Sequence, residues 1–130
     1  MPPKPKIAWN ENRAVTVPTS FCWSYDNQAT CTDTAAPPEI VGEHKPAPLQ
    51  VQPGAIVTIS YEQPPVEKSL VLTQWVGNNQ IEHELQQGNM WQAPEEPGWY
   101  LFDVRAQWEQ GSAGHVFVIE VRNNSRSEYL

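Results

Sequence analysis

From Gly98 to Val121 the chain alternates with a period of two on both sides of a glycine-containing turn. Tyr100, Phe102, Val104, Ala106 and Trp108 fall on one side, and Leu101, Asp103, Arg105 and Gln107 on the other. After Glu109-Gln110-Gly111-Ser112-Ala113-Gly114 the pattern resumes, with Phe117, Ile119 and Val121 inward and Glu120 and Arg122 outward. A period of two is the signature of a strand with one buried face. A long hairpin with one apolar face must bury it against a second layer. This hairpin therefore commits the chain to an all-β, two-sheet sandwich, which is a scaffold and names no activity.

The rest of the chain supplies shorter strands between turn signals. Ala14-Val15-Thr16-Val17 is the best strand candidate before Pro18, which should end it. Ile56 to Tyr61 follows the Pro53-Gly54 turn, and Leu70 to Val76 precedes the Gly77-Asn78-Asn79 hairpin signal. Ile81 to Leu85 is polar enough for an edge strand, and Met90-Trp91-Gln92-Ala93 is a short strand before Pro94. The proline-rich stretch from Ala35 to Pro48 reads as an ordered connector with one helical turn after Pro37-Pro38. We expect one domain over residues 1–130: a linker at 1–6, N-terminal strands, cysteine loop and connector over 7–48, the main sandwich strands over 49–122, and a polar tail at 123–130.

The 8 basic and 15 acidic side chains leave a formal charge of −7. Such a surface repels phosphate backbones and anionic lipid headgroups, so neither nucleic acid nor a membrane surface is expected as a partner. No apolar run is long enough to insert in a membrane, and the first residues do not read as a leader. A mature exported chain and a cytosolic one would both look this way. Cys22 and Cys31 are the only two cysteines and flank a polar, turn-rich spacer. That spacing suits a local disulfide clasp, with two reduced thiols as the alternative. Zinc would need two more ligands that the pattern does not offer.

Gly98-x-Tyr100-x-Phe102 resembles the corner that opens strand F of immunoglobulin domains, where a tyrosine hydroxyl bonds back to the backbone. The resemblance implies an immunoglobulin-like β-sandwich. Phe102 stands where the second inter-sheet cysteine would be, Ile59 opposite it, and Trp75 at the core tryptophan of strand C. The Cys22–Cys31 clasp would then belong to an N-terminal extension. More broadly, the chain is similar to a group of small extracytoplasmic proteins of Gram-positive bacilli, often lipoproteins. The similarity is carried by Ser20-Phe21-Cys22-Trp23 with Cys31 and Asp33, Pro37-Pro38-Glu39, Val51-x-Pro53-Gly54, and Gly98-x-Tyr100 through Trp108-x-x-Gly111 to Phe117-x-Ile119-x-Val121. It implies export and a disulfide, and carries no activity with it.

No catalytic constellation stands out. The chain lacks a phosphate loop, a nucleophile elbow and a His-Glu-x-x-His helix. His44, His83 and His115 are not in metal-ligand spacing, and Glu82 and Glu84 beside His83 have the ordinary look of an edge strand. No cofactor or metal is expected. The reading is a non-catalytic interaction or accessory domain at the cell envelope. The candidate contacts are Trp23, Trp91, Trp99 and Trp108, whose rings could stack on a cell-wall glycan or anchor a protein. A third reading comes from Pro18-Thr19-Ser20-Phe21-x-Trp23 and Arg105-Ala106-Gln107-Trp108-Glu109, which resemble loop motifs of chagasin-like cysteine-protease inhibitors. The first motif is incomplete, and no proline precedes Trp108.

Overall fold

The computed structural model describes residues 2–123. The expected tail beyond Asn123 lies outside the described residues. Two sheets pack face to face. The smaller contains β1 (Pro5–Trp9), β2 (Asn12–Arg13), β6 (Ile56–Tyr61) and β9 (Met90–Gln92), in the order β2-β1-β6-β9. The larger runs β4 (Gln28–Thr32), β3 (Val17–Tyr25), β11 (Gly111–Val121), β10 (Gly98–Trp108), β7 (Val71–Val76), β8 (Asn79–His83). The short β5 (Leu49–Val51) pairs parallel with the end of β11. Antiparallel strands in this arrangement make the immunoglobulin-like β-sandwich, and the β3–β4 hairpin widens its larger sheet.

The β10–β11 hairpin is in the register its alternation demands, from Gly98 opposite Val121 to Trp108 opposite Gly111. Phe102, Val104, Ala106 and Trp108 are buried on its inner face, with Phe117 and Ile119 beside them. Phe102 and Ile59 face one apolar core from opposite sheets, where an immunoglobulin domain would place its disulfide. Ile7, Val57, Leu72, Trp91 and Val104 close around them.

Several local expectations change. β1 begins at Pro5, inside the segment expected to be a linker, and its Ile7 is fully buried. The strand expected at 14–17 instead starts at Val17 and runs through Pro18 to Tyr25. Pro18 is tolerated because β11 shifts register between Ala113 and His115, the bulge at which a missing N–H does least harm. The cysteine loop is a regular hairpin with Cys22 directly opposite Cys31. The disulfide is present, with the two Cα atoms 4.0 Å apart. The single helical turn is a full helix, α1 (Pro37–His44). Prolines at its first positions cost no hydrogen bond there, and the left-handed Lys45 donates its N–H to Val41 at 2.8 Å and ends it.

Trp75 is not the core tryptophan. It pairs with Leu101, whose side is opposite that of Phe102, so it stands on the outer face of the larger sheet. Gln74 takes the inward position. Trp91 from the smaller sheet fills the core instead, 5% exposed.

Candidate functional site

Of the four candidate tryptophans, only Trp99 is open to solvent, at 65% exposure; Trp23 (7%), Trp91 (5%) and Trp108 (5%) are buried. Burial leaves Trp23, Trp91 and Trp108, three of the four candidate contacts, without a face to offer a glycan or a protein. Each buried ring sits at an inward parity, and two find internal partners for the indole N–H. Trp108 donates to the Gln63 carbonyl at 2.8 Å and Trp91 to His83 Nδ1 at 3.3 Å. An indole whose N–H is satisfied inside is buried with little penalty. Trp23 and Tyr61 both meet Trp108 edge-on, with centroids at 5.8 and 5.0 Å. The segments that resemble inhibitor loops therefore lie within the paired strands β3 and β10 for most of their length.

Trp99 is held in place by the corner that opens β10. The Tyr100 hydroxyl donates to the Glu96 carbonyl at 2.7 Å, as the resemblance implied. That bond ties the chain on either side of Trp99. Along β10, Trp99, Leu101, Asp103 and Arg105 share the outer face. Cross-strand pairing adds Trp75 beside Leu101 and Thr73 beside Asp103. α1 packs on this same face, against β3, β10 and β11, with Ile40 buried beneath it.

A crevice of about 390 Å³ opens where the end of α1 and the following Pro46-Ala47-Pro48 meet the start of β10. Val41, Pro46 and Pro48 form one wall, and Trp99, Leu101 and Val118 the other. Among the described residues, Lys45 is the one charged residue in the lining. Both walls are braced, one by the helix cap and one by the tyrosine corner, so the crevice needs little ordering before it is filled. The connector and Leu101 carry no sequence signal of their own; their meeting depends on α1 folding back over the sheet.

Farther along the outer face lies a polar cluster. Arg105 reaches across β11 at Gly114, donating from Nη2 to the Ser20 carbonyl at 2.9 Å and from Nη1 to Thr19 Oγ1 at 3.5 Å. Asp103 Oδ1 is buried with no hydrogen-bond partner among the described residues. Burial raises the Asp103 carboxyl to about 6, against the opposing pull of Arg105 and the Thr19 hydroxyl. His115 is buried on the inner face, opposite Val104, and burial lowers it to about 4. The two groups stand on opposite sides of the sheet and cannot act on one substrate as acid and base. His83, lowered by burial, bridges Trp91 and Gln74, while His44 Nδ1 lies 3.2 Å from the Ile40 carbonyl. Among the described residues no group of three or more His, Cys, Asp or Glu side chains converges as metal ligands would.

No family model, curated protein or solved structure matches the chain. The functional reading rests on the geometry of the Trp99 crevice.

Proposed function

We propose that this protein is a non-catalytic interaction domain of the cell envelope that holds a protein partner at the Trp99 crevice. The observation that carries this reading is an indole two-thirds exposed on the rim of a braced, apolar crevice. Tryptophan is the residue most enriched at the energetic centre of interfaces, and a pre-formed cleft avoids the cost of ordering a loop. Val41, Pro46, Pro48, Leu101 and Val118 suit an apolar or proline-bearing segment of a partner. The Cys22–Cys31 bond supports export to an oxidising compartment, in line with the resemblance to extracytoplasmic proteins, secreted or tethered at the surface.

A second reading, glycan binding, is favoured by the flat, exposed face of Trp99 itself. The apolar lining argues against it, because a sugar ring needs polar partners along its edge as well as a stacking platform. Tryptophan fluorescence during titration separates the two. Proline-containing apolar peptides should shift the emission of the wild type, and wall glycan fragments should not. The shift should vanish in Trp99→Ala. A response that is the same in both proteins overturns the reading.

A further inference from the structure

A second groove lies at the other end of the sandwich. Trp99 and Trp108 bracket most of β10, roughly 30 Å of strand. The groove adjoins the Trp108 end, where Gln63 accepts the Trp108 N–H. It has a volume of about 820 Å³, and its lining includes Lys4, Lys6, Arg13, Ser60, Glu62 and Gln63. On a chain with only 8 basic side chains and a charge of −7, three cations meet here with one carboxylate.

The strands dictate this meeting. Ile7 is buried, so its neighbours Lys6 and Ala8 point outward from the smaller sheet. Arg13 is paired with Ala8 and Ser60 with Lys6, so both share that outward face. β2 is only 2 residues long and leaves the start of β1 uncovered on that side. Arg105 and Arg122 have internal partners, in Thr19 and Ser20 for one and Glu120 for the other. The side chains of Lys4, Lys6 and Arg13 make no ion pair or hydrogen bond among the described residues. The charge of Lys4 is felt nearby: after burial itself it is the next cause holding His115 below its usual range.

We propose that this groove is a binding site for a short anion carrying two or more phosphate or carboxylate groups, gripped by Lys4, Lys6 and Arg13. Three uncompensated cations around one cleft select clustered negative charge, and a guanidinium forks onto either oxyanion. The groove is of the size that takes a small ligand. The acidic remainder of the surface repels a long polyanion, so the ligand is a short one and not a nucleic acid. Glu62 at the lip opposes the ligand and sharpens the need for multiple charges.

The test is calorimetric titration of the full chain with tripolyphosphate and, separately, with citrate. The expected result is saturable one-to-one binding by at least one of them, weakening as salt is raised. The tighter of the two identifies phosphate or carboxylate as the preferred group. Lys6→Gln with Arg13→Gln should weaken binding by about tenfold or more, equivalent to about 1.4 kcal/mol, since the two substitutions take two of the three cations from the grip on the anion. Glu62→Gln should tighten it. Lys68→Gln with Arg122→Gln, which lie outside both the groove and the Trp99 crevice, should change nothing. All these positions are exposed, and circular dichroism will verify that the variants fold. Absence of saturable binding to either anion overturns the proposal. So does an equal loss in the Lys68 and Arg122 double variant, which would mean diffuse attraction without a site.

Discussion

The indole of Trp91 stands edge-on to the ring of Phe102, with centroids 4.7 Å apart and planes at 69°. One ring comes from each sheet, so this contact does the joining that a disulfide performs between the sheets of an antibody domain. Phe117 stacks on the far side of Phe102 at 5.6 Å. The Trp91 N–H donates to His83 Nδ1, so the His83 proton sits on Nε2 and is donated to Gln74 Oε1 at 2.8 Å. The lowered pKa of His83 agrees with this neutral tautomer.

Phe102→Ala should therefore cost about 3–5 kcal/mol, the range for truncating a large aromatic in a packed core. Urea unfolding followed by circular dichroism measures it. A loss under about 1 kcal/mol would mean that the sheets are held together elsewhere. Trp91→Phe keeps a ring in place but leaves His83 Nδ1 without its donor, and should cost about 1–3 kcal/mol.

The sandwich was legible because β10 alternates and Phe117, Ile119 and Val121 carry the same inward parity across the turn, although Val116 and Val118 between them are buried as well. Phe102, Val104, Phe117 and Ile119 are where that pattern puts them. The tyrosine corner was legible because it is local, four residues from donor to acceptor. The tryptophans were not. The face a residue takes in a short strand is set by its partner strand: Trp75 points outward because it lies opposite Leu101, and Trp91 inward because it lies opposite Val57. Neither partner is visible from the strand itself. The crevice at Trp99 was hidden for the same kind of reason, since α1 reaches it from some fifty residues upstream.

Replacing both Cys22 and Cys31 by serine should lower stability by at most about 2.5–3 kcal/mol, the chain-entropy value for so short a loop. The damage should stay local. β3 remains paired with β11 from Val17 to Trp23, while β4 has no other neighbour among the described residues. Hydrogen exchange should show faster amides in residues 28–32 and little change in β10. Loss of the whole sandwich would contradict this division.

Asp103 and His115 should pull stability in opposite directions between about pH 4 and 6.5. The folded chain keeps a proton on Asp103 up to about 6, whereas the unfolded carboxyl releases it near 3.8, so this group's contribution falls as pH rises through that window. The folded chain refuses a proton on His115 down to about 4, whereas the unfolded imidazole takes one up below 6.5, so this contribution rises with pH. Each has a limiting slope of about 1.4 kcal/mol per pH unit, and the two nearly cancel in the wild type. Asp103→Asn should then gain stability from pH 4 to 6.5, and His115→Gln should lose it. Thermal melts across this range will show whether the two slopes separate.

Gly114→Ala should cost about 1–3 kcal/mol, because the added methyl falls on the Arg105 guanidinium and the Thr19 hydroxyl. In an Arg105→Ala background the cost should shrink, since the main obstacle is gone. A double-mutant cycle measures that coupling, and strict additivity would show that Arg105 does not cross β11 at this glycine.

Trp99→Ala should leave stability within about 0.5 kcal/mol of the wild type, as expected for a surface side chain. It should also remove the red-shifted component of the tryptophan emission, leaving a spectrum dominated by buried rings. A large loss of stability would mean that Trp99 braces the crevice more than it serves a partner.

The order in which the strands leave a ribosome or a translocation channel gives the hairpin a further meaning. β3 and β4 emerge together, and Cys22 meets Cys31 across a turn only a few residues wide. The strand that anchors β3 to the body, Gly111–Val121, arrives about 90 residues later, and such distant pairings form slowly. β10 cannot be closed on that side before then either. An oxidant acting on the emerging chain can therefore seal the hairpin while no sheet yet exists to receive it. Vectorial synthesis thus allows the covalent crosslink to form before the core, wherever an oxidant meets the emerging chain.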